Sequence, residues 1–149
     1  MKLGIIGLPQ TGKTTLYNAL TGHDQPTTAS AGRMEVHTAV VDVPDPRVDT
    51  LSAMYNPEKT MYAKVTYADI AGLEGSGQGS ISGQLLNHIA QMDGLIHVVR
   101  CFEDESVAHV SGSVNPSRDI VAMNSELLLN DLIAVERKLE RLAEEKDRG

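Results

Sequence analysis

The chain has 149 residues, 41% of them hydrophobic, with one Phe, four Tyr and no Trp, which is enough for one domain around an aliphatic core. A net charge of −7 argues against a broad nucleic-acid surface, and direct DNA binding is not expected. The single cysteine excludes an internal disulfide, no apolar run approaches the ~18 residues of a membrane span, and the first residues begin a strand without a signal sequence, so the chain reads as cytoplasmic with no membrane partner.

The first predicted element is a strand over residues 3–7. It leads directly into Gly7-Leu8-Pro9-Gln10-Thr11-Gly12-Lys13-Thr14, a complete phosphate-binding loop, and then into a helix over residues 13–21 closed by Gly22. The strand delivers the chain, the glycine-rich turn exposes backbone N–H groups, and the helix aims its positive end at the same point. Gly7 and Gly12 permit backbone angles that a side chain forbids. The stretch Gly7, Pro9, Gln10, Thr11, Gly12, Lys13, Thr14 and Thr15 is expected to wrap the phosphates of a nucleoside triphosphate. Lys13 would set a compact charge against the β- and γ-phosphates and act in catalysis by neutralising charge in the transition state. The Thr14 hydroxyl is placed to ligate Mg²⁺.

Residues 23–33 are small, polar and rich in breakers, and read as a loop. Residues 35–43 alternate and are β-branched, which predicts a strand. Pro44-Asp45-Pro46 turns the chain into a short helix over residues 47–55 that Asn56-Pro57 stops. A third strand over residues 61–69 ends in Asp69-x-x-Gly72. An acidic residue at the end of a strand beside a phosphate loop holds Mg²⁺, and a glycine three residues on can offer its N–H to the γ-phosphate. Asp69 is therefore the second expected metal residue, and Gly72 the second catalytic one. Residues 72–83 contain a dense run of glycines and read as a nucleotide-sensing switch loop. A helix over 84–92 follows, then an apolar strand over 94–102 expected to be buried on both faces. In it His97 reads as a satisfied core histidine and Cys101 as a packing residue, and His23, His37, His88 and His109 show no metal spacing. Glu74 reads as a solvated loop carboxylate. The element order is that of a layered α/β domain.

The last quarter differs. From 121 to 142, Leu128, Leu132, Val135, Leu139 and Leu142 alternate by four and three residues, a coiled-coil seam with a charged outer face. The stripe needs a partner, no returning helix follows, and the charged end is abrupt. The chain is accordingly expected to be a truncated piece of an incomplete domain: residues 1–118 the front of a nucleotide-binding domain, and 119–149 the first helix of a coiled-coil arm.

Taken together, Gly7 through Thr21, Val43 through Asp49, Asp69-Ile70-Ala71-Gly72-Leu73, His97 through Asp104, and the stretches around Arg118–Ile120 and Glu126–Leu132 resemble the YchF/Obg-like ATPase family of P-loop proteins. The resemblance implies a Ras-like core with a mostly parallel sheet and flanking helices, interrupted by a helical insertion. It implies slow Mg²⁺-dependent hydrolysis of ATP as a regulatory switch, and association with ribosomes. Leu73 stands where Ras-like proteins carry a water-orienting Gln, and a leucine has no group to orient water. The family's first-switch threonine falls on Arg33, with Thr27, Thr28 and Thr38 nearby but out of register. The base-recognition motif lies past residue 149, so adenine and guanine stay undecided. A true GTPase and a non-hydrolysing binding module remain the alternatives.

Overall fold

The computed structural model describes residues 1–27, 36–70 and 83–147. In chain order these form β1 (Lys2–Ile6), α1 (Lys13–Thr21), β2 (Val36–Asp42), α2 (Pro46–Tyr55), β3 (Lys64–Ile70), α3 (Gly83–Ile89), β4 (Gly94–His97) and α4 (Pro116–Asp147). The strands make one mixed sheet in the order β2-β3-β1-β4. β1 runs parallel to both β3 and β4, and β2 is antiparallel to β3.

The two-residue period of a strand sorts the core. Ile5 turns to one face, where it meets Tyr17, Leu16 and Leu20 of α1 together with Tyr67 and Ile96. Ile6 turns to the other face and meets Ala68, Ile70, Leu85 of α3 and Met123 of α4. The result is three layers, with α1 on one side of the sheet and α3 and the start of α4 on the other. The core is aliphatic as the composition implies, apart from the buried Tyr17. The same alternation puts Asp69, two residues beyond Tyr67, on the α1 face. Ile5 pairs with Asp69, so the end of β3 lies beside the point where β1 runs into the phosphate loop.

The termini of the helices follow from their capping residues. Asp45 accepts the Arg47 N–H at 2.9 Å, Pro46 takes the first helical position, and Asn56 closes α2 in the left-handed conformation at φ 45°. At α4, Asn115 Oδ1 accepts from the Arg118 N–H at 3.1 Å and Pro116 opens the helix, so α4 begins before the heptad pattern does. It then runs unbroken for 32 residues, about 48 Å.

One expected element is corrected. The strand read over 94–102 ends at His97 and is not buried on both faces: Leu95 is 39% exposed. β4 lies at the edge of the described sheet, with β1 as its only strand neighbour there. The ladder continues through one more bond, Val98 N–H to the Ile6 carbonyl at 2.8 Å. Arg100 then bends the chain. Its buried guanidinium donates to the carbonyls of Phe102 (3.1 Å), Asp104 (3.4 Å) and Val107 (2.9 Å), which a straight strand could not present together. Cys101 is therefore an exposed thiol rather than a packing residue.

Further along, His109 and Asp119 form a buried pair that ties this loop to the first turn of α4. The Ser111 N–H donates to His109 Nδ1 at 3.0 Å. That leaves Nε2 as the nitrogen carrying hydrogen toward Asp119 Oδ2, also at 3.0 Å.

His97 is half-buried, and burial pushes its imidazole below the usual histidine range. The folded state then disfavours a proton that the unfolded chain accepts near pH 6.5, so this residue costs stability as the pH falls. His97→Gln is expected to flatten the loss of stability between pH 7.5 and 5.5 in urea titrations; an unchanged pH dependence would assign that loss to other groups.

Candidate functional site

The carboxyl edge of the central strands carries the site. β1 ends at Ile6, and Gly7 begins the loop with φ 153°. A Cβ there would stand 2.3 Å from the Val98 carbonyl oxygen, so any side chain would force the loop off the neighbouring segment. Gln10 (φ 60°) and Gly12 (φ 94°) are also left-handed, which curls the loop back on itself. The curl is fixed from inside: the Thr11 hydroxyl and the Lys13 ammonium donate to the same carbonyl, that of Leu8, at 3.0 and 2.8 Å. Thr11 and Lys13 are buried, Pro9 is half-buried, and Gln10 and Thr15 face outward.

Gly12 takes the N-cap position of α1 and offers no side-chain acceptor to the first-turn N–H groups. No acidic residue stands in that turn. A helix start left without its own carboxylate or hydroxyl cap, behind a turn of left-handed residues, favours an anion.

Thr14 lies one residue into α1, and its hydroxyl donates to Asp69 Oδ2 at 2.7 Å. This contact joins residues 55 positions apart and unites the two motifs in one place. Asp69 is only 1% exposed, and its Oδ1 has no hydrogen-bond partner among the described residues. Burial, and secondarily the Asp69 charge, hold the Tyr17 phenol above its usual range, so the carboxylate's field reaches the floor of the site. An unpartnered, hard carboxylate oxygen beside a threonine hydroxyl is the donor chemistry that suits Mg²⁺.

The structure thus brings together Gly7, Pro9, Gln10, Thr11, Gly12, Lys13, Thr14 and Asp69, with Thr15 on the outer side of the helix. Gly72, Leu73, Glu74, Thr28 and Arg33 lie outside the described residues. Thr27 is exposed after α1. Thr38 is exposed on β2 opposite Ala68, one residue away from the register position of Asp69. His37 is the position that sequence reasoning passed over. It stands directly across from Asp69 on β2, on the same face of the sheet, and only the strand register reveals this.

Sheet order, loop and Thr14–Asp69 contact define a P-loop nucleotide-binding domain of the Ras-like kind. Residues 2–138 match the family model described as 50S ribosome-binding GTPase, and the chain belongs to that family. It is 41% identical, over 99% of its length, to the ribosome-binding ATPase YchF of Escherichia coli O157:H7, and 40% identical, over 97%, to that of Bacillus subtilis strain 168. It covers 42% and 41% of those proteins, about two-fifths of the length of the curated relatives it matches. The structure of the Schizosaccharomyces pombe YchF GTPase superposes with a TM-score of 0.75 at 35% identity, covering 97% of this chain and 39% of that one.

Proposed function

We propose that this chain is the nucleotide-binding part of a cytoplasmic, ribosome-associated P-loop NTPase that hydrolyses ATP slowly and works as a regulatory switch. The observation that carries the reading is the Thr14–Asp69 hydrogen bond beside Lys13 and the uncapped start of α1. The loop N–H groups and Lys13 would bind the phosphates, and Lys13 would offset the charge that develops on them during transfer. Thr14 and Asp69 would hold Mg²⁺, which when bound supplies charge neutralisation between the phosphates. Gly72 would report the γ-phosphate through its N–H. Leu73, having no polar group, supports slow turnover. Association with the ribosome is supported by the family, described as ribosome-binding GTPases, and by the two relatives, both named ribosome-binding ATPases. We assign residues 1–118 to the nucleotide-binding part and 119–149 to the helical arm; the outward-facing heptads of α4 support the division.

The relatives are named for ATP and the solved neighbour for GTP, so the base is decided by titration. The 149-residue chain with Mg²⁺ is expected to bind fluorescent ATP, with unlabelled ATP displacing it at lower concentration than GTP. Stronger displacement by GTP would make this chain a GTPase. No binding of either nucleotide would overturn the proposal.

A further inference from the structure

β2 brings an imidazole to the cation site from the far side of β3. Side chains alternate along this strand: Val36 packs on the cluster that holds Ile6, whereas Ala39 is buried with Ile5 and Tyr17. His37 falls on the Ala39 side, the face covered by α1, the helix that carries Thr14 and Tyr17. Because β2 runs antiparallel to β3, its first residues meet the last residues of β3, and His37 stands opposite Asp69 at the carboxyl edge. The side chain is half-buried there.

Asp69 Oδ2 accepts from Thr14, while Oδ1, on a residue only 1% exposed, has no hydrogen-bond partner among the described residues. The imidazole across the ladder therefore does not cap that oxygen, although both side chains lie on one face. Directly opposed residues of an antiparallel pair have Cβ atoms about 4.5–5.5 Å apart. A dication bound about 2.1 Å from an imidazole nitrogen and from a carboxylate oxygen holds the two atoms about 3 Å from each other, which this spacing accommodates. We propose that His37 is a ligand of the cation that enters with the nucleotide, so that one nitrogen donor joins the oxygens of Thr14 and Asp69. The proposal rests on the reading of this place as a metal–triphosphate site, and it names the class of cation the site favours.

The consequence is selectivity. Mg²⁺ takes oxygen ligands and gains little from imidazole, whereas Fe²⁺, Co²⁺, Ni²⁺ and Zn²⁺ bind it well. Thr14 and Asp69 alone offer only hard oxygens. With His37 the donor set becomes mixed and favours a borderline dication over Mg²⁺ at equal concentration. Among the described residues no three His, Cys, Asp or Glu side chains gather where they could hold a metal ion. The described side chains therefore supply an open, partial shell, and phosphate oxygens and water complete it, so the cation is held together with the nucleotide.

Co²⁺ tests this, because a histidine bound to it shows its exchangeable ring N–H proton as a strongly shifted resonance in the proton NMR spectrum. The 149-residue chain with Co²⁺ and ATP is expected to show such a resonance, lost in deuterated water and absent from His37→Gln. ATP is expected to bind wild type about tenfold more tightly in Co²⁺ than in Mg²⁺, and to bind the variant about equally in both. ATP that binds with Co²⁺ without the resonance, a resonance that persists in His37→Gln, or a cobalt preference that survives the substitution would each overturn the assignment of His37 and leave the phosphate site standing. ATP that binds with neither cation would instead overturn the reading of the site, and this proposal with it. The wild-type spectrum alone can refute the assignment, so the test survives a variant that folds poorly.

Discussion

Replacing Lys13 with alanine is expected to weaken Mg·ATP binding about a hundredfold while leaving the fold intact. The ammonium is held at the Leu8 carbonyl, 2.8 Å away, inside a loop whose curl also depends on Gly7, Gln10 and Gly12. That position aims one compact charge at whatever anion enters the loop. Two charge-assisted hydrogen bonds to phosphate oxygens are together worth about 3 kcal/mol, which converts to roughly a hundredfold in affinity. The stability cost is smaller, because the Leu8 carbonyl keeps the Thr11 hydroxyl as a donor when the ammonium is lost, and a net hydrogen bond is worth about 1 kcal/mol. Isothermal titration and a thermal melt on the same preparation separate the two effects. Affinity unchanged within threefold would remove Lys13 from the site. A collapse of the melting temperature would make it a structural residue of the loop instead.

What the sequence made legible was local. The glycines of the phosphate loop, Pro46 and Asp45 before α2, and Asn56 after it each act through backbone angles or hydrogen bonds within a few residues, so pattern alone located them. Asp69 was legible because a strand end followed by glycine has a known chemistry beside such a loop. The parts that escaped depend on distant partners. The early end of β4 is set by Arg100 drawing three downstream carbonyls around its guanidinium, and a run of apolar letters carries no sign of that. The start of α4 at Pro116 precedes the heptads because its first turns answer to the core through Met123 and to His109 through Asp119. His37 looked isolated, since its closeness to Asp69 follows from antiparallel pairing of β2 with β3, and the order of strands in a sheet is not written in either strand.

Asp69 yields the second large effect, and its sign distinguishes a metal residue from a structural one. The carboxylate is almost wholly buried, one oxygen is satisfied by Thr14, and the other has no hydrogen-bond partner among the described residues. A buried oxygen left without a hydrogen-bond partner costs the ligand-free fold about 1–3 kcal/mol. Asp69→Asn keeps an amide oxygen to accept from Thr14 and removes the charge. The ligand-free variant is expected to melt at the same temperature as wild type or several degrees higher. Its ATP affinity is expected to fall at least about tenfold in Mg²⁺ and to become insensitive to EDTA, whereas wild type loses affinity when the metal is chelated. The two readouts move in opposite directions only if the fold tolerates a cost at Asp69 for the sake of a bound cation. A variant that melts well below wild type without ligand, yet still responds to Mg²⁺, would show that the carboxylate serves the packing between β3 and α1 and that the metal is held elsewhere.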